Sequence, residues 1–218
     1  MSVVELLQIE QRTQAWYDAR LGRATASKFR DVLAKIGKGE AAARRNYRAQ
    51  LVVERLTGKM PERFATAAME WGIETEELAR TTYMLLTGNI VDEPGFYQHP
   101  KLMAGASPDG DVTSGKEKGG LEIKCFNTAN HIQALRDNEM PKEHIPQVQG
   151  QMWLAGYKWV DFVSFDPDMP ENAQIYIERI YRDKEYIKML EAEIIQFLQE
   201  VDAEVAFITD YRRGDERS

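Results

Sequence analysis

In the first 88 residues apolar side chains recur at helical intervals, and glycines cut the pattern into segments. Thr13 or Gln14 opens a short helical stretch through Arg20, closed by Gly22. Thr25-Ala26-Ser27 offers hydroxyl caps to a second helix that reaches about Ile36, where Gly37 and Gly39 end it. From Glu40 to Thr57 good helix formers carry an apolar stripe of Ala49, Val52, Val53 and Leu56, stopped by Gly58. Thr66 to Leu86 predicts a longer helix, closed by Gly88.

Beyond Asn89 the period shortens to that of strands. Ile90-Val91, Gly95 to Tyr97, Met103 to Ala106 and Leu121 to Cys125 are short β-like runs, separated by Pro, Gly and a polar turn from Thr113 to Gly120. Helices over Ala129–Asn138 and His144–Leu154 follow, then strands over Trp159–Phe165 and Gln174–Tyr181. The segment from Lys184 to about Tyr211 is one amphipathic helix with Tyr186, Leu190, Ile194, Ile195, Phe197, Leu198 and Val201 near one face. Trp71, Trp153 and Trp159 read as core aromatics. The order predicts a single α/β domain: residues 1–88 a helical N-terminal lobe, 89–182 a small mixed central sheet with crossing helices, and 183–218 a long C-terminal helix.

Composition narrows the class. A chain of 218 residues with 43% hydrophobic and 29% charged side chains buries a core without staples. One cysteine excludes a disulfide framework and a Cys-rich zinc site, and points to a reducing compartment such as the cytoplasm. The N-terminus does not read as a signal peptide, and no apolar run of membrane-spanning length occurs. Net charge is −7, yet unevenly placed: residues 1–64 hold 13 basic against 7 acidic side chains, and the other 154 residues hold 15 against 28. A net of +6 facing a net of −13 fits a basic lobe turned to an anionic partner and an acidic body turned to water, and fits chance surface clustering equally well. Arg44, Arg45 and Arg48 lie within one such cluster, either tracking a nucleic-acid backbone or forming a solvated helix face.

The candidate chemistry lies in Ser107-Pro108-Asp109-Gly110 and, twelve residues later, Glu122-Ile123-Lys124. On a strand from Leu121 to Cys125, Glu122 and Lys124 share one face while Leu121, Ile123 and Cys125 take the other. Burying a carboxylate and an ammonium without partners is costly, so that face is expected to look into a solvated cleft, with Asp109 at the end of a preceding hairpin strand reaching it. Two carboxylates and a lysine suit phosphodiester hydrolysis: the hard oxygens hold Mg²⁺, and the lysine orients or deprotonates water or stabilises the transition state. An edge strand with alternating charges gives the same pattern without chemistry. Only three histidines occur (His99, His131, His144), none in zinc-ligand spacing, and Cys125 on the core side is no nucleophile.

Pro108-Asp109…Glu122-Ile123-Lys124 resembles the PD-(D/E)xK nuclease motif. Around it, Arg20-Leu21-Gly22 with Thr25-Ala26-Ser27, Trp71-Gly72 with Glu76, Ala106 to Gly110, Leu121 to Cys125, and Gln147-Val148-Gln149 with Met152-Trp153 resemble, in order, segments of the lambda-exonuclease-like, YqaJ-type viral recombinase family. The resemblance spans about residues 14–166. It implies a PD-(D/E)xK nuclease-like α/β fold and a processive 5′→3′ exonuclease on double-stranded DNA, assembled as a homotrimer ring and working with a single-strand annealing protein. It further implies Asp109, Glu122, the carbonyl of Ile123 and Glu76 as ligands of Mg²⁺, with Mn²⁺ a substitute and two ions per site. Lys124 would orient the attacking water, with Gln147 beside it. Arg20, Thr25 and Ser27 would form a 5′-phosphate pocket, which a helix N-terminus flanked by hydroxyls and an arginine suits on physical grounds. Met69 stands where the family places an apolar wedge at the duplex end. Phe126 and Asn130 depart from a family proline and arginine, and Arg136 or a neighbouring subunit could replace the arginine. Two other readings fit parts of the pattern: a restriction-type endonuclease, and a non-catalytic DNA-binding subunit.

Overall fold

The computed structural model describes residues 5–37, 39–60 and 67–211, without the side chains of residues 67–70. Five strands form the larger sheet: β5 (Ile90–Asp92), β8 (Gly110–Ser114), β9 (Glu117–Cys125), β10 (Trp159–Phe165) and β11 (Ile175–Tyr181), in the order β11-β10-β9-β8-β5. Only the β9–β10 pair is parallel, with Glu122 beside Phe162 and Lys124 beside Ser164. A second, four-stranded sheet runs β1 (Glu5–Leu7), β6 (Phe96–Gln98), β7 (Ala104–Ala106), β2 (Ala24–Thr25). The first 88 residues, read from the sequence as helical, thus contribute two strands to this sheet.

The helices are α1 (Gln14–Arg20), α2 (Phe29–Leu33), α3 (Ala42–Thr57), α4 (Ala67–Thr87), α5 (Thr128–Asp137), α6 (Ile145–Ala155) and α7 (Lys184–Asp210). Their ends have local causes. Thr13 caps α1 by accepting from the Trp16 amide, and Asp183 caps α7 by accepting from the amides of Glu185 and Tyr186, both at 3.0 Å. Gly88 takes a left-handed φ of +69° to end α4, and its amide donates to the Met84 carbonyl at 2.9 Å. Thr66, the expected start of that helix, lies outside the described residues, as does the end of the expected C-terminal segment. No helix of the described residues is long and apolar enough to cross a membrane.

The period-2 alternation of β9 and β10 sorts the core into layers. Leu121, Ile123, Trp159, Val163 and Phe165 pack with Ala79 and Tyr83 of α4 on one face. Val160 and Phe162 pack with Val148 and Met152 of α6 on the other. A third cluster joins Phe29, Tyr47, Leu51 and Val52 to Leu190, Ile194, Phe197 and Val201 of α7. Each Val, Leu, Ile, Phe or Met among them contributes about 1.5–3 kcal/mol on burial.

Four sequence expectations change. The helix expected through Ile36 stops at Leu33: Phe29 and Val32 are buried, and Lys35–Ile36 pairs instead with Gly39–Glu40 as a small hairpin, β3–β4. On α3 the buried face is Tyr47, Leu51 and Val52, while Val53 and Leu56 are exposed. Trp71, expected in the core, is 41% exposed. The polar turn expected from Thr113 to Gly120 is mostly strand, because Gly119 and Gly120 are not turn residues here: a Cβ on Gly119 would lie 2.4 Å from the Trp159 ring. Asp109 accordingly stands just before a strand, not at the end of one.

The charge asymmetry also acquires a structural meaning. Arg44, nearly buried, donates to Glu200 at 2.6 and 2.9 Å and to Glu40 at 2.9 Å. Arg48 joins Glu40, Glu200 and Glu204, Arg55 joins Asp202, and Lys35 joins Glu193. Lys35, Arg44, Arg48 and Arg55 therefore face the acidic α7, which corrects the backbone-tracking reading of Arg44 and Arg48. Arg48 and then Arg44 hold Glu40 below the usual carboxylate range, and Arg44 does the same for Glu200. A depressed folded pKa stabilises the protein above the ordinary carboxylate value of about 4.5, and that stability is lost as pH falls through the folded values. Arg44→Met is expected to cost about 1–3 kcal/mol at pH 7 and to flatten the acid limb of a stability–pH curve measured by urea unfolding. An acid limb as steep as that of the wild type would contradict the pairing.

Candidate active site

β9 delivers Glu122 and Lys124 to the face covered by α6. Glu122 is 1% exposed, so the expectation of a solvated cleft fails for it. Its charge is compensated by donors instead. Gln147 Nε2 and Lys124 Nζ reach Oε1 at 2.5 and 2.6 Å, and Gln151 Nε2 donates to Oε2. Gln147 and Gln151 lie one helical turn apart on α6, so one amide grips each carboxylate oxygen. Burial alone would lower the Lys124 pKa, but Glu122 and Asp109 outweigh it and hold the ammonium above the ordinary lysine value. Lys124 is therefore a cation that donates to Glu122.

Asp109 is fixed from two sides by β9. Its amide donates to the Leu121 carbonyl at 3.0 Å, and its Oδ2 accepts from the Ile123 amide at 2.7 Å. Burial, then the charges of Glu122 and Glu76, push its carboxyl well above the usual range. Glu76 comes from α4. Its Oε2 accepts from Arg12 at 2.8 Å and its Oε1 from Arg80 at 3.0 Å. Asp109, Glu122, Ile123, Lys124, Gln147 and Glu76 line one cavity of about 240 Å³, so the sequence-derived catalytic set converges.

Arg20 and Ser27 line the same cavity and also an adjoining one of about 180 Å³, together with Arg23, Thr25 and Lys28. The three residues expected to form a phosphate pocket are thus neighbours at the start of a 3-10 turn, Ala26–Lys28, that runs into α2, but no hydroxyl caps it. Thr25 makes no cap, its amide donates to the Tyr47 hydroxyl at 3.0 Å, and its Oγ1 lies 3.4 Å from Ser27 Oγ. Positive charge here comes from Arg20, Arg23 and Lys28. Arg20 lies over the Trp16 ring at 4.1 Å and donates to Ser107 Oγ at 3.1 Å, while Trp16 Nε1 donates to the same oxygen at 2.9 Å.

Sequence reasoning missed Gln11, Arg12, Trp16, Ser107 as a ligand-facing group, and Gln151. Gln11 ties two loops together by donating to the carbonyls of Pro94 and Pro108 at 2.8 and 2.9 Å. The i, i+4 spacing of Trp16 with Arg20 and of Gln147 with Gln151 was the available signal. Burial shifts two other groups nearby. Burial pushes the Cys125 thiol up to about 12, with Glu76 and Asp109 adding to it, so no thiolate forms at neutral pH. His144, its pKa lowered mainly by burial, stacks on Phe162 at 5.5 Å. The side chain of Met69, the expected wedge, lies outside the described residues.

The donor set fits a hard divalent cation. The acidic donors are all oxygen, and Asp109, Glu122 and Glu76 repel one another in a way that a cation would relieve. Gln151 Oε1, buried beside them, finds no hydrogen-bond partner among the described residues and remains open to a water proton. Among the described residues no three His, Cys, Asp or Glu side chains close into a ready metal cage. Mg²⁺ requires none, since it retains waters and uses one or two carboxylates with substrate phosphate oxygens.

Comparisons with known proteins agree with this geometry. Residues 15–158 match the family described as the YqaJ-like viral recombinase domain. The chain is 40% identical to LHK-Exo in complex with dAMP, with TM-score 0.84, covering 94% of this chain and 100% of that one. A structure of the alkaline exonuclease LHK-Exo from Laribacter hongkongensis matches at 41% identity, TM-score 0.84 and the same coverage. A phage-related exonuclease from Haemophilus somnus, 15% identical with TM-score 0.64 over 85% of this chain and 96% of that one, shares the fold. Comparison with curated proteins found no match. With the family's span covering most of the chain and the aspartate, glutamate and lysine gathered in one cavity of a PD-(D/E)xK nuclease fold, the chain belongs to the YqaJ-like viral recombinase domain family.

Proposed function

We propose that the chain is a Mg²⁺-dependent 5′→3′ exonuclease that degrades one strand of linear double-stranded DNA from a 5′-phosphorylated end and leaves a 3′ overhang for recombination. The observation that carries this reading is a pair of cavities lined in common by two residues. The carboxylate–lysine cavity and the arginine-lined one share Arg20 and Ser27, so a strand end held at its terminal phosphate presents the next phosphodiester to Lys124 and Glu122. The relative crystallised with dAMP, a deoxynucleoside monophosphate, supports a mononucleotide product.

Asp109, Glu122, the Ile123 carbonyl and Glu76 are the residues that would hold Mg²⁺, one or two ions, with Mn²⁺ able to substitute. Bound there, the ion would lower the pKa of a water and draw off charge developing on phosphorus. The protein's own part is orientation and charge. Gln147 and Gln151 fix Glu122, the Ile123 amide fixes Asp109, and the Lys124 ammonium stabilises the anionic transition state. Arg20, with Ser27, Thr25, Ser107 and the Trp16 shelf, holds the terminal phosphate.

The exposed apolar side chains of Trp71, Leu78 and Leu85, seven residues apart along α4, support self-association and so the homotrimer ring. A single domain in which Arg20, Arg23 and Lys28 of the N-terminal lobe face the DNA end, a cytoplasmic location in a bacterial or phage-infected cell, and a single-strand annealing partner complete the reading. The test uses linear duplexes labelled at either 5′ or 3′ ends beside a covalently closed circle. Release of the 5′ label as mononucleotide, retention of the 3′ label and an intact circle are expected. Cutting of the circle would favour a restriction-type endonuclease, and inertness on all three would favour a binding subunit.

A further inference from the structure

Arg12 sits in the turn before α1 with a left-handed φ of +67°, a conformation that a side chain bearing Cβ takes at a cost. The turn itself gives no reason for arginine: glycine or asparagine would adopt the same backbone more readily. The side chain supplies the reason. Its Nη2 donates to Glu76 Oε2 at 2.8 Å across 64 residues of sequence, while Arg80 holds the other oxygen. Arg12 and Glu76 both line the catalytic cavity, and Arg12 also lines the adjoining groove of about 850 Å³.

The two arginines are not equivalent. Arg80 belongs to α4 itself, is only 16% exposed, and also reaches Glu93 at 3.3 Å, so it is a fixed support. Arg12 is 37% exposed, and among the described residues Glu76 is the one carboxylate it pairs with. A guanidinium on Oε2 takes the electron pairs that a divalent cation needs, and it can swing into the open groove when one arrives.

We propose that Arg12 is a positioning residue that acts as a resident counter-cation on Glu76 and thereby sets how tightly that carboxylate accepts a divalent cation. The inference rests on the reading of Glu76 as a cation ligand given above. It requires Arg12 to compete with the metal, so its removal tightens metal binding, and the effect is modest because the pair is partly solvated.

The experiment is calorimetric titration of the DNA-free protein with Mn²⁺ for the wild type, Arg12→Gly and Glu76→Gln, with melting temperatures in EDTA. Glycine suits the backbone at residue 12, so that variant is expected to fold and to melt at or above the wild-type temperature. Arg12→Gly is expected to bind Mn²⁺ about two- to fivefold more tightly with unchanged stoichiometry, and Glu76→Gln to bind more weakly or to lose an ion. Unchanged or weaker binding in Arg12→Gly, with weakened binding in Glu76→Gln, overturns the role of Arg12 alone. Wild-type binding in Glu76→Gln removes Glu76 from the ligand set and the inference with it. A lowered melting temperature with unchanged affinity makes Arg12 a structural staple and also overturns the proposal.

Discussion

Lys124→Ala is expected to lower kcat by a factor of about 10²–10³ while leaving the affinity for a DNA end within a few-fold of wild type. The reasoning begins with charge. Glu122 and Asp109 keep the Lys124 ammonium protonated well into the alkaline range, so it offers a preorganised cation where negative charge grows on the scissile phosphate. An interaction that strengthens only in the transition state appears in kcat and not in binding. Removing it also leaves Glu122 with its two amide donors, so the site keeps its shape. The check is single-turnover hydrolysis beside equilibrium binding of the same duplex in Ca²⁺. Equal losses in both would assign Lys124 to ground-state binding.

Arg20→Ala is expected to reduce the preference for 5′-phosphorylated over 5′-hydroxyl ends by about 10- to 100-fold, and Ser27→Ala to reduce it by a smaller factor, as charged hydrogen bonds of about 1–3 kcal/mol imply. Arg20 is held on the Trp16 ring and by Ser107, so its guanidinium is aimed before any substrate arrives. Ser27 is exposed at the rim shared by the two cavities. The measurement is the ratio of kcat/KM values for the two end types in each variant. A ratio equal to that of the wild type would move the phosphate site elsewhere.

The convergence of Asp109, Glu122 and Lys124 on one cavity was legible because its logic is local. Alternation along β9 put Glu122 and Lys124 on one face, and Asp109 needed only the neighbouring hairpin strand. The element order was legible for the same reason, since caps and glycines mark ends without reference to tertiary contacts. What escaped the sequence is what depends on partners far along the chain. The arginines of α3 looked free until α7 brought Glu200 and Glu204 against them. Gly119 and Gly120 looked like turn residues because the Trp159 and Tyr157 rings that need their missing side chains lie some 40 residues further on. Glu122 was expected to be wet because its two amide donors sit on a separate helix. Arg12 and Trp16 carried no sequence signal stronger than helical spacing, and their contacts with Glu76 and Ser107 emerge only in the folded chain.

The central claim is that Asp109, Glu122 and Lys124 form one magnesium-dependent hydrolytic site. The most direct measurement is nucleotide release from an end-labelled linear duplex by the wild type and by Asp109→Asn, across a Mg²⁺ titration and in EDTA, with melting temperatures recorded for both proteins. The account predicts release by the wild type that rises with Mg²⁺ and stops in EDTA, and none by a normally folded Asp109→Asn at any Mg²⁺ concentration. Release in EDTA, or a folded Asp109→Asn that digests the duplex at the wild-type rate, would contradict it.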